Sequence, residues 1–214
     1  MHINTHTHTC IHAHTHVCMF TSSDACVSIV VYAAPVTLDP NTAYPNLILS
    51  EDLTSVVCSE ETQQLPDNPE RVQEYPVVLG SEGFGSGTHS WDVEVGESTL
   101  WILGVAKESV QRKGGLFGFL EGSWNVYCNQ NMYQICTPLE AFTPITVKQR
   151  PQKVRVQLDW DGGKLSFTDP DTDTHLHTFT HTFTERVFPH ILYNDKDHSL
   201  KVLPVKVSVK TGSV

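Results

Sequence analysis

Apolar and polar residues alternate with a period of two along much of this chain. Trp91, Val93 and Val95 alternate with Asp92 and Glu94, while Val154, Val156, Leu158 and Trp160 alternate with Arg155, Gln157 and Asp159. That period sends the two sets of side chains to opposite faces of an extended strand. Each segment therefore reads as a strand with one wet and one buried face, the pattern of an antiparallel sandwich. Strands are predicted near residues 47–50, 54–58, 76–80, 88–95, 99–106, 124–128, 132–136, 153–160, 164–168, 188–193 and 200–203, with no helical period from residue 36 onwards. Turn chemistry separates them. Leu38-Asp39-Pro40-Asn41 is a strand end entering a turn, because proline presets φ at the second turn position. Gly96-Glu97-Ser98 is expected to close one hairpin and Asp161-Gly162-Gly163 another, glycine supplying the positive φ. Asp169-Pro170-Asp171 ends the strand before it, and Pro66, Pro69 and Pro76 bracket a longer loop. The fold class is all-β, a sandwich of two antiparallel sheets. Trp91 and Trp160 fall on buried faces and are expected in the core. Trp101 and Trp124 stand near strand ends, where they line either the core or a groove.

Composition narrows the function more than the fold. A chain of 214 residues suits one sandwich plus a tail, and its 39% hydrophobic residues suffice for a core. Net charge is −10, from 14 basic and 24 acidic residues, which argues against binding nucleic acid or an anionic membrane surface. Arg112-Lys113 is the tight basic pair of the middle region. No apolar run approaches the roughly 20 residues of a membrane-spanning helix. The six cysteines (10, 18, 26, 58, 128 and 136) lack zinc-type pairs. They read as small apolar residues of a reducing compartment rather than a disulfide scaffold. The absence of any Asn-x-Ser/Thr acceptor agrees with a cytosolic chain.

Residues 1–35 differ in character from the rest. Residues 2 to 16 carry six of the twelve histidines in His-Thr alternation. A metal-binding tract is one reading; translated CA-repeat DNA, whose frame CAC-ACA encodes His-Thr, is the more economical one. This segment is expected to be a disordered tail. Residues 25–34 form a short apolar stretch without the positively charged region that precedes a signal-peptide core.

Candidate catalytic and cofactor strings do not hold up. Gly83-Phe84-Gly85-Ser86-Gly87 precedes a strand, whereas a phosphate-cradling loop opens a helix. His175, His177 and His181 share one parity near Asp171 and Asp173, but a metal site draws its ligands from more than one element. No nucleophile elbow or papain-like Cys/His/Asn order is present. The chain reads as a binder: no enzyme, no cofactor, no metal.

Leu38-Asp39-Pro40, Trp91-Asp92-Val93-Glu94-Val95 and Leu158-Asp159-Trp160-Asp161 occur in this order along the chain. Between and after them come Leu49-Ser50-Glu51-Asp52, Asp67-Asn68-Pro69-Glu70-Arg71, Val78 to Phe84, Leu103-Gly104-Val105-Ala106 and Gly163-Lys164-Leu165-Ser166-Phe167. This succession resembles the PRY–SPRY domain, the C-terminal recognition module of tripartite-motif proteins and butyrophilins. The resemblance covers residues 36–208, with PRY at about 36–87 and SPRY at about 88–208. It implies an SPRY-type sandwich with an N-terminal PRY segment, and makes the Thr174–Phe179 phrase an outer strand. No RING-type Cys/His spacing precedes it, which fits a fragment of a longer protein.

The resemblance also implies a protein ligand held in a groove between the PRY and SPRY parts. The matching positions are Ile102, Tyr127, Asn129 and Ile191. Relatives often carry Trp-x-Trp where this chain has Tyr127-Cys128-Asn129, and an acid at Ile102; Tyr127 can still act as an aromatic anchor. The loop Glu108–Gly122, with Arg112, Lys113 and Phe117, is the second candidate surface. The expected function is substrate recognition for a tripartite-motif ubiquitin ligase, in innate immunity or protein turnover, by a monomeric cytoplasmic domain. The alternatives are a butyrophilin-type phosphometabolite sensor, which needs clustered basic side chains, and the recognition domain of a nucleotide-binding immune receptor.

Overall fold

The computed structural model describes residues 15–20, 28–33, 35–139 and 142–210, with 15–20, 28–33 and 206–210 described as backbone only. In chain order the first strands are β1 (Thr15–Phe20), β2 (Ser28–Ala33), β3 (Leu47–Leu49), β4 (Ser55–Cys58), β5 (Val77–Leu79), β6 (Thr88–Glu94) and β7 (Leu100–Lys107). A one-turn helix α1 (Leu116–Leu120) precedes β8 (Ser123–Asn129), β9 (Met132–Cys136) and β10 (Thr143–Ile145). The chain continues through β11 (Lys153–Asp159), β12 (Lys164–Asp169), β13 (Thr174–Thr180), β14 (Val187–Tyr193), β15 (Leu200–Leu203) and β16 (Lys206–Lys210).

Two units result. One comprises Met1–Pro35 and Pro204–Val214, in which β1, β2 and β16 form an antiparallel sheet with β2 in the middle. Residues 15–20 and 28–33, expected to be disordered, thus pair as strands. The remainder of that expectation, at 1–14, 21–27 and 34, lies outside the described residues. The other unit, Val36–Leu203, is the sandwich, so residues 204–208 group apart from it rather than with it as expected.

The sandwich consists of a six-stranded sheet, β10-β9-β8-β7-β14-β5, and a seven-stranded sheet, β13-β12-β11-β6-β15-β4-β3, with antiparallel pairing throughout. Its core is the set picked out by alternation. Trp91 and Val93 of β6 and Val154, Val156 and Leu158 of β11 join one cluster with Trp101, Leu103 and Val105 of β7 and Trp124 and Val126 of β8. On the opposite face of the seven-stranded sheet, Asp92 lies across from Arg155 in the strand register. The guanidinium donates to both carboxylate oxygens at 2.7 and 2.8 Å. This bidentate pair explains how an acid in a strand centre becomes buried.

Several local expectations need correction. Gly96-Glu97-Ser98 does not close a hairpin: β6 and β7 lie in different sheets, and the segment arches from one to the other. Asp161-Gly162-Gly163 does join paired strands, with Gly163 at φ +63°. Trp160 falls one residue beyond β11 and is only half-buried, its indole N–H donating to the Glu185 carbonyl at 3.2 Å. Trp101 and Trp124 are full core residues. The helix α1, the short edge strand β10 and the edge strand β13 carry too few periodic positions to stand out by alternation.

Candidate partner-binding groove

The run Leu100–Ala106 on β7 is apolar without alternation because this central strand is covered on both faces. Trp101, Leu103 and Val105 point into the sandwich, whereas Ile102 and Ala106 belong to a second cluster on the outer face of the six-stranded sheet. Tyr75, Val77 and Leu79 from the PRY side and Phe119 and Leu120 from α1 complete that second cluster. Gly104 sits between them for a steric reason: a Cβ there would meet the Trp124 carbonyl oxygen at 2.0 Å.

A buried polar chain ties α1 to the sheet. The His190 ring packs edge-on against Phe119 at 5.1 Å and its Nε2 pairs with Asn125 Oδ1. Asn125 Nδ2 donates to Ser123 Oγ at 2.8 Å, and Ser123 Oγ donates to the Leu120 carbonyl at 3.3 Å. Since Asn125 Oδ1 can only accept, Nε2 carries the proton and Nδ1 is the bare acceptor of a neutral ring. Burial pushes the His190 pKa down to about 3.

Between α1, the PRY segment and this sheet face runs a groove of about 230 Å³, lined by Tyr75, Pro76, Leu100, Ile102, Leu116, Tyr127, Phe142, Leu192 and Asn194. Tyr127 is half-buried, with its ring edge-on to Phe142 at 5.5 Å. Tyr75 donates its hydroxyl to the Gln111 carbonyl at 3.2 Å, fastening the PRY side to the 108–122 loop, and burial raises that hydroxyl's pKa. Pockets for drug-sized molecules run to roughly 300–1,000 Å³. A smaller, apolar groove suits protruding side chains instead. The lining has no Arg, Lys or His, so it offers a phosphorylated metabolite no counter-charge.

The structure separates the expected contact residues. Ile102 and Tyr127 meet in the groove, Ile102 as its floor at 2% exposure. Asn129 shares the Tyr127 face two residues along, opposite Leu100, and is half-buried. Ile191 does not reach the groove, because it points into the sandwich core with Leu103, and the next residue, Leu192, lines the groove in its place. Lys113 is held by Asp67 at 2.8 Å, and Arg112 turns onto the Glu70 carbonyl at 3.3 Å. Phe117, on α1, is exposed beside the groove. Pro76, Leu116 and Phe142 come from segments without periodicity; the apolar character of Leu116 and Phe142 within polar loops was the available signal.

Among the described residues, no three His, Cys, Asp or Glu side chains approach closely enough to share a metal ion. Cys58, Cys128 and Cys136 are free, buried thiols with pKa values raised by burial.

Comparison with known proteins agrees with this architecture. The SPRY-associated domain (PRY) profile matches residues 36–84, and the SPRY domain profile matches residues 88–204. Nuclear factor 7, ovary, of Xenopus laevis is 43% identical over 160 residues, covering 73% of this chain and 26% of that protein. E3 ubiquitin-protein ligase TRIM69 of Mus musculus is 41% identical over 159 residues, covering 73% of this chain and 31% of that protein. The chain thus spans between 26% and 31% of the length of these two relatives. The solved TRIM65 PSpry domain shares the fold, with a TM-score of 0.68 at 22% identity over 79% of this chain and 89% of that one. With both halves matched in order and the two-sheet sandwich behind them, the chain belongs to the PRY–SPRY family of protein-interaction domains, with relatives among tripartite-motif proteins and butyrophilins.

Proposed function

We propose that the sandwich is the partner-recognition domain of a tripartite-motif ubiquitin ligase and that it holds a protein ligand at Tyr127 in the groove. The observation that carries this reading is the groove itself: an aromatic side chain, half-exposed, over an apolar floor made by Ile102 and Leu192. Buried aromatic anchors with a polar rim are the usual centres of binding energy in protein interfaces. The identity to a named ubiquitin ligase supports the ligase context. In this reading the domain selects the substrate and performs no chemistry of its own, acting as a monomer in the cytoplasm. Its buried free thiols fit a reducing compartment. Among the described residues, no helix is long and apolar enough to cross a membrane.

The test is capture of partners by the wild-type domain with cross-linking, followed by titration calorimetry of the purified partner. Tyr127→Ala is expected to weaken binding by about 2 kcal/mol, about 30-fold, with an unchanged melting temperature. Equal losses of binding and stability would show Tyr127 to be a packing residue. Full affinity in the variant would move the site off the groove.

A further inference from the structure

We propose that the groove continues past Phe142 into a second apolar subsite, and that the two together take an extended peptide carrying two large apolar side chains two positions apart, with basic residues beside them. This rests on the groove being the ligand site. Phe117 is 73% exposed and Leu139 94% exposed. Single exposed apolar residues need no explanation. These two, however, line one hollow of about 210 Å³ with Leu120, Cys136, Pro138 and Phe142. Phe142 also lines the groove, so the two hollows share this residue. Contiguous apolar surface of this kind marks an interaction site.

Spacing and charge define the occupant. In the strand register Tyr127 faces Gln134, and Asn125 faces Cys136. Cys136 is therefore one strand across and two positions along from Tyr127, roughly 8 Å away at standard sheet spacings. An extended chain sets residues i and i+2 on one side about 7 Å apart, which matches. Each hollow is smaller than a drug-sized ligand requires. Glu121 lines the second hollow, and the exposed Glu74 carboxylate lies by Gly115 at the start of α1. Lys113 is paired with Asp67, Arg112 is turned onto the Glu70 carbonyl, and neither lines a hollow; the one charged residue in the two linings is Glu121, so the charge offered along them is negative. A second copy of a chain with net charge −10 would meet like charge here, whereas a peptide bearing Lys or Arg would not.

Selection of a random linear peptide library on the wild-type domain tests this, followed by fluorescence anisotropy of the best peptide. Selected sequences should carry large apolar residues at i and i+2 with an excess of Lys and Arg. Phe117→Ser and Leu139→Ser should each weaken that peptide tenfold or more while the melting temperature holds, both side chains being exposed. Full affinity in both variants, with binding lost in Tyr127→Ala, removes the second subsite and leaves the groove reading intact. If none of the three changes matters, both readings fall. Acidic flanks in the selected peptides, or a library that yields no binder at this face, overturns the proposal. So does a dimer by light scattering that Leu139→Ser disperses, which would assign the patch to a second copy.

Discussion

His190 ties the stability of this domain to pH. Its ring is 2% exposed, pinned between Asn125 and Phe119, and burial lowers its pKa from 6.5 to about 3. In the unfolded chain the same ring titrates near 6.5. The folded pKa lies below the unfolded one, so the unfolded chain binds the extra proton and stability rises with pH. The neutral ring's contribution is complete above pH 6.5 and is lost progressively as the pH falls towards 3. Between pH 7 and pH 5 the expected loss is about 2 kcal/mol, a large part of a typical 5–15 kcal/mol stability. Urea unfolding of wild type and His190→Gln at pH 7, 6 and 5 measures it. Glutamine stays neutral and keeps a donor for Asn125, so its stability should fall by about 2 kcal/mol less over that range. His181, whose pKa burial and Lys107 also lower, titrates in both proteins and cancels in the difference. Parallel curves would refute the reasoning, showing that the native ring takes up its proton without cost.

Gly104→Ala places a methyl group 2.0 Å from the Trp124 carbonyl, a backbone atom of the paired strand that cannot swing aside. The expected loss is about 3 kcal/mol or outright unfolding, read by thermal melting; a melting temperature within two or three degrees of wild type would contradict it. Trp101→Ala, at a site 1% exposed in the centre of the core, should cost about 3–5 kcal/mol. Trp160→Ala, beyond its strand and half-buried, should cost clearly less in the same denaturation assay, and an equal loss would return Trp160 to the core.

How far the fold was legible follows from what each residue pattern encodes. Alternation in β6 and β11 identified Trp91, Val93, Val154, Val156 and Leu158 as interior, because one face of that sheet meets the core and the other meets water. Asp161-Gly162-Gly163 announced its hairpin because a positive φ in a tight turn is a local demand. The chemistry of Gly96-Glu97-Ser98 is equally local, and a short turn looks the same whether its strands pair or part into opposite sheets. Only the tertiary structure decides between these, through the partners each strand finds.

The groove shows the same limit. β7 and β14 are buried on both faces, so their apolar runs carry no alternation to tell inside from outside. Ile191 and Leu192 are chemically alike, yet one fills the core and the other lines the groove. Family resemblance brought Ile102 and Tyr127 to the site, while Pro76, Leu116 and Phe142 came from loops whose place depends on long-range packing. Strand faces follow from the period of the polypeptide and are written in the sequence. The site depends on which distant segments cover a sheet already hydrophobic on both sides, and that choice belongs to the folded whole.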